Sequence, residues 1–164
     1  MSNDEQKYSI AIHEAGHAVM AAWLGKNINY VTIVPKDGVP GKCEHINDIP
    51  YGDKSDEAIG LMMQSEVLIL IAGTTAEAVI LGISPINSRG KDDYRRVNEI
   101  LEAPNDGLAK ERADYIHDKA YKIFKKPIVQ QQIKTVANAL MEHKTLTGSQ
   151  VISMLEEIKA GQSC

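Results

Sequence analysis

His13, Glu14 and His17 fall within one pentad, His13-Glu14-Ala15-Gly16-His17. Histidines four apart on a helix share a face about one turn apart, so two imidazole nitrogens can reach one tetrahedral metal ion without bending the backbone. A helix turns Glu14 beside that face rather than onto it, leaving its carboxylate free to take a proton from water at the metal. Zinc suits such donors and brings the pKa of water to about 7, so hydroxide becomes available to attack a carbonyl that the same ion polarises. The chemistry predicted is amide hydrolysis, with His13 and His17 as metal ligands and Glu14 as general base. A pentad of this kind arises by chance in roughly one chain in a hundred of this length. The competing reading is a surface helix carrying two polar histidines and a solvated glutamate. Against it stands the context, an amphipathic segment in which the small Ala15 and Gly16 suit a helix packed close to its neighbours.

A catalytic zinc needs a third protein ligand and an open position. The continuation Ala18-Val19-Met20-Ala21-Ala22-Trp23 lacks the glycine and third histidine of a metzincin, so the ligand must come from elsewhere. Glu77 is one candidate, because a carboxylate in an apolar segment needs a partner. Asp92 and Asp93, following the loop that ends Gly90-Lys91, are others. His45, His117 and His143 each stand alone in the sequence, and a lone histidine is more often a packed or surface residue than a ligand.

The elements that must position these residues follow from periodicity and punctuation. Apolar residues from Tyr8 to Trp23 recur at three and four, predicting a helix over Asp4 to Leu24 that stops at Gly25. Ile28 to Val34 is rich in β-branched residues and predicts a strand, closed by Pro35 and followed by the turn formers Gly38, Pro40 and Gly41. A second helix is expected from a Ser55 cap to Leu81, then a loop from Ser84 to Gly90. Further helices are expected over Asp92 to Glu102, Gly107 to Lys125, Pro127 to His143 and Gly148 to Lys159, the last opened by a Thr147/Gln150 capping box. The fold class predicted is mostly α, with one or two short strands near the motif helix.

The bulk composition agrees with that reading. A chain of 164 residues with 43% hydrophobic content suits a single domain spanning residues 1–164. Eighteen basic against 22 acidic side chains give a net charge of −4, so neither nucleic acid nor an anionic membrane is an expected partner. Cys43 and Cys164 are too few and too far apart for a disulfide framework or a thiolate zinc knuckle, which fits a cytoplasmic setting. Met1 to Lys7 does not read as a secretory signal. Ala58 to Ile83 is long and apolar enough to raise a membrane span, but Gln64, Glu66 and Glu77 interrupt it, and a buried helix is expected instead.

Four blocks, in order, resemble the peptidase domain of the FtsH family of ATP-driven zinc proteases. Tyr8 to Val19 resembles the family's motif helix, and Val31-Thr32-Ile33-Val34-Pro35 the strand after it. Ala72-Gly73-Thr74-Thr75-Ala76-Glu77 resembles its Gly-Gly-Arg-Ala-Ala-Glu segment, and Leu140 to Gly148 its Thr-Leu-(Asp/Thr)-Gly ending. The resemblance implies a helical, zincin-like peptidase domain with a small β element near the HExxH helix, one Zn2+ per chain and a polypeptide substrate. It implies Asp93 as the third metal ligand, by match to an Asn-Asp-Leu segment, and Glu77 as support beside the site. Thr74 stands where the family has arginine, Ala78 where it has a second acid, and Tyr94 where it has an aliphatic residue. No phosphate-loop motif is present. The expectation is thus a stand-alone endopeptidase acting on unfolded or flexible polypeptides, with a homo-oligomer and a separate ATPase partner both open. If the strand Ile28 to Val34 has a free edge beside the metal, substrate backbone could pair with it. The alternative is a non-catalytic regulatory module that keeps the fold.

Overall fold

Helix α1 (Asn3–Trp23) begins one residue before the expected Asp4, and a capping box explains why. The Ser2 hydroxyl accepts from the Glu5 amide while the Glu5 carboxylate accepts from the Ser2 amide, so two free donors at the helix start are satisfied together. The helix ends before Gly25, whose φ of +69° suits a glycine. The remaining elements are β1 (Ile28–Thr32), β2 (Lys42–His45), α2 (Asp56–Ala76), a π-helical turn (Glu77–Leu81), α3 (Lys91–Glu102), α4 (Ala109–Phe124), α5 (Pro127–His143), β3 (Thr145–Thr147) and α6 (Gly148–Gly161). These come from a computed structural model that describes residues 2–46, 56–84 and 90–161, without the side chains of residues 56–58. The expected Ser55 cap and most of the loop from Ser84 to Gly90 lie outside the described residues.

α1 runs through the centre, buried at Ser9 and continuously from Ala11 to Ala21, with α2 and α5 packed on it. The close crossing with α2 depends on Gly16: a Cβ there would sit 2.6 Å from the Ala72 carbonyl oxygen. Phe124, Ile133 and Leu140 complete the core from α4 and α5. Ile59–Leu81 has the length and mean hydropathy of a membrane span, and 56% of its most apolar 18-residue stretch is buried inside the protein.

α2 does not run to Leu81 as periodicity predicts. Regular geometry ends at Ala76 and one π turn follows. Just before it, the Thr74 and Thr75 hydroxyls both donate to the Ile71 carbonyl, at 3.0 and 2.8 Å. Such back-bonding bends helices, and the π turn begins at Glu77 itself.

The sheet has the order β2-β1-β3, antiparallel throughout, with Val31 opposite both Cys43 and Leu146. This corrects the expectation of a free edge on the first strand: β1 is central, shorter than Ile28 to Val34, and paired on both sides. Among the described residues, the outer edge beside the site belongs to β2. The expected capping box at Thr147 is present, with the Thr147 amide donating to Gln150 Oε1 and the Gln150 amide to Thr147 Oγ1. Thr147 also ends β3, a strand of three residues and too short for its alternation to register as a pattern.

Candidate metal centre

Helical spacing puts His13 and His17 on one face of α1, their ring centroids 4.7 Å apart and their planes at 77°. The first turn of α3 brings Asp93 across to them. Asp93 Oδ2 lies 3.4 Å from His13 Nε2 and 3.5 Å from His17 Nε2. Ligands about 2.0–2.1 Å from a tetrahedral zinc stand about 3.3 Å from one another, so these three donors fit such an ion in both chemistry and spacing. They form the one cluster of three potential metal donors among the described residues. Asp92 lines the same cavity without joining that group.

The far side of each imidazole is also held. His13 Nδ1 faces Glu77 Oε2 at 3.2 Å, while Glu77 Oε1 accepts the Ser9 hydroxyl at 2.8 Å. His17 Nδ1 donates to the Ile69 carbonyl at 2.7 Å. With Nδ1 engaged on the far side, each ring turns its Nε2 toward the cluster, where it faces Asp93 and where a metal ion would take the place of the Nε2 proton. Glu77 therefore belongs behind His13, not among the three converging atoms. Burial works to depress the His13 pKa, but its hydrogen bonds to Asp93 and Glu77 outweigh burial and lift it to about 9. Burial tends to raise Asp93, yet the two imidazoles hold it well below the usual carboxylate range.

Two glycines let backbone approach the site. A Cβ on Gly73 would lie 2.6 Å from His13 Nε2 and from His17 Nε2, so α2 runs directly beneath both rings. A Cβ on Gly41 would lie 2.8 Å from Glu14 Oε1, so the chain entering β2 lies over the glutamate. Glu14 is only 7% exposed. Burial pushes its pKa up, and the charges of His17 and His13 pull it partly back, the direction that prepares a carboxylate to exchange protons near neutral pH.

Glu14, both histidines and Asp93 line a cavity of about 450 Å³, walled by the Gly38–Cys43 segment on one side and by Lys91 and Arg96 on the other. His45 lies in its wall, Nε2 3.2 Å from Glu66 Oε2, and Arg96 holds the other Glu66 oxygen at 3.1 Å. His117 stacks on Tyr94, and His143 is exposed at the end of α5. None of these three histidines joins the converging group. Sequence reasoning missed Ser9 and the Ile69 carbonyl as supports. Ser9 was within reach, standing one helical turn before His13; a backbone carbonyl from another helix leaves no sequence signal.

The model of Peptidase family M41 matches residues 1–104. The chain is 24% identical to the ATP-dependent zinc metalloprotease FtsH of Rickettsia conorii over 93% of its own length and 29% of the relative's. It is 22% identical to the protein of that name from Chloroflexus aggregans, over 95% of its length and 30% of the relative's. With that from Caulobacter vibrioides it shares 30% identity over 60% of its length and 15% of the relative's. The chain thus spans under a third of the length of these curated relatives.

Proposed function

The chain belongs to peptidase family M41, and from that premise we propose that it is a zinc-dependent endopeptidase acting on unfolded or flexible polypeptides. The observation that carries this reading is the convergence of His13 Nε2, His17 Nε2 and Asp93 Oδ2 in one cavity with a buried Glu14. These three residues would hold the ion, and zinc bound there supplies Lewis acidity to polarise a peptide carbonyl and to acidify water. Glu14 takes the proton of the attacking water and returns it to the departing amine, a role its raised pKa favours. Glu77 and the Ile69 carbonyl fix the two imidazoles, so the site is in place before substrate arrives.

The shape of the cavity supports the substrate class. A space of about 450 Å³ admits side chains and an extended backbone, not a folded domain. β2 pairs with β1 along one side, and its residues Lys42, Cys43 and His45 line the cavity, so its outer edge can take an added strand of substrate. The names of the relatives describe ATP-dependent proteases, which suits a peptidase fed with chain unfolded by an ATPase.

The test is cleavage of an unstructured polypeptide at neutral pH with stoichiometric zinc, run beside Glu14→Gln. Hydrolysis should fall by a factor on the order of 10²–10⁴ in the variant while zinc content stays at one per chain. An inert unmodified protein that binds zinc would instead favour a non-catalytic module.

A further inference from the structure

Asp93 reaches the metal group from a different helix than the two histidines, so the site is only as well formed as the seating of α3. The buried apolar residues of α3 are Val97 and Leu101, on its later turns. Its first turn, the one carrying Asp93, rests on α2 by other means. Gly90, immediately before α3, lies so close to Thr74 that a Cβ on it would stand 2.4 Å from Thr74 Cγ2. The Thr74 hydroxyl lies 3.4 Å from the Tyr94 hydroxyl, and the Tyr94 ring stacks on His117 of α4 with centroids 5.8 Å apart and planes at 17°. Thr74 is itself fixed: it is 1% exposed, donates to the Ile71 carbonyl at 3.0 Å and follows Gly73, on which both imidazoles lie.

We propose that Thr74 and Tyr94 are positioning residues that clasp the first turn of α3 to α2 and so hold Asp93 against the two histidines. Neither side chain is in the converging group; each acts through Asp93. The inference rests on the reading of Asp93 as a metal ligand. A hydroxyl contact to α2 and a ring stacked on α4 hold Tyr94, and with it the turn, at two points, and a ligand displaced by a fraction of an ångström binds metal less well.

The experiment uses the full chain and three variants, Tyr94→Phe, Thr74→Val and the double substitution, with Leu101→Ala as a control that loosens the far end of α3. Zinc affinity is measured by chelator competition, and the visible spectrum of the cobalt(II) form reports coordination geometry. Each single variant should lose zinc affinity by about tenfold, on the scale of outer-sphere support. The double variant should lose little more than either single one, because one contact is removed in all three. The cobalt spectrum should shift in the three, and Leu101→Ala should leave both readouts unchanged. Affinities within twofold of the unmodified chain, strictly additive losses, or an equal loss in Leu101→Ala would overturn the clasp. Zinc binding that weakens as expected in a chain that never hydrolyses peptides would retain the clasp and sink only the peptidase reading. An unmodified chain that takes up no zinc would overturn both.

Discussion

Glu77 Oε2 stands 3.2 Å from His13 Nδ1, on the side of the ring facing away from Asp93. The carboxylate is 1% exposed and its other oxygen accepts the Ser9 hydroxyl. A buried acid that orients a metal-binding histidine raises the basicity of the ring and fixes its tautomer. Glu77→Gln keeps the shape and removes the charge, so zinc affinity should drop by about 10–100-fold with the fold intact. Chelator competition measures this, and unchanged affinity would show that Glu77 has no part in orienting the ring.

Asp93 and Asp92 are neighbours in sequence but differ in placement. Only Asp93 meets the two histidines. Asp93→Ala should abolish stoichiometric zinc in elemental analysis of protein purified without added metal, whereas Asp92→Ala should retain it. Equal loss from both would mean that the first turn of α3 presents a different oxygen to the ion.

Gly73 cannot carry a side chain without meeting an imidazole. Gly73→Ala would place its Cβ 2.6 Å from both Nε2 atoms, so the rings or α2 must move. Overpacking of this sort costs about 1–3 kcal/mol, and here the displacement falls on the ligands. We expect a modest fall in melting temperature with a large loss of zinc affinity; the reverse ranking would show that α2 yields and the rings do not.

In the metal-free protein His13 is held protonated between Asp93 and Glu77, with its pKa raised from 6.5 to about 9. A raised folded-state pKa contributes stability that is complete below about 6.5 and is lost as pH climbs through about 9. The melting temperature in chelator should therefore fall between pH 6.5 and 9.5. With zinc bound, metal occupies the place of that proton, and the fall should vanish. A flat profile in chelator would contradict a charged His13 in the folded protein.

The sequence by itself determined the motif, the helices and the chemistry they can support. Periodicity placed α1 and α5 to within a residue or two, because each buries a continuous stripe against neighbours. Spacing alone put His13 and His17 on one face, since helix geometry is local. Which acid completes the group was not local. Glu77, Asp92 and Asp93 were alternatives that only a resemblance could rank. Only the tertiary structure shows where each acid lies: Gly90, just before α3, packs on Thr74 of α2 and Asp93 stands beside the two imidazoles, while Glu77, at the start of the π turn, lies behind His13. Strand order was equally hidden. β3 pairs with β1 across more than a hundred residues of chain, and β2 covers the side of β1 toward the cavity. Local periodicity records which side of a segment is buried; it carries no record of which distant segment buries it.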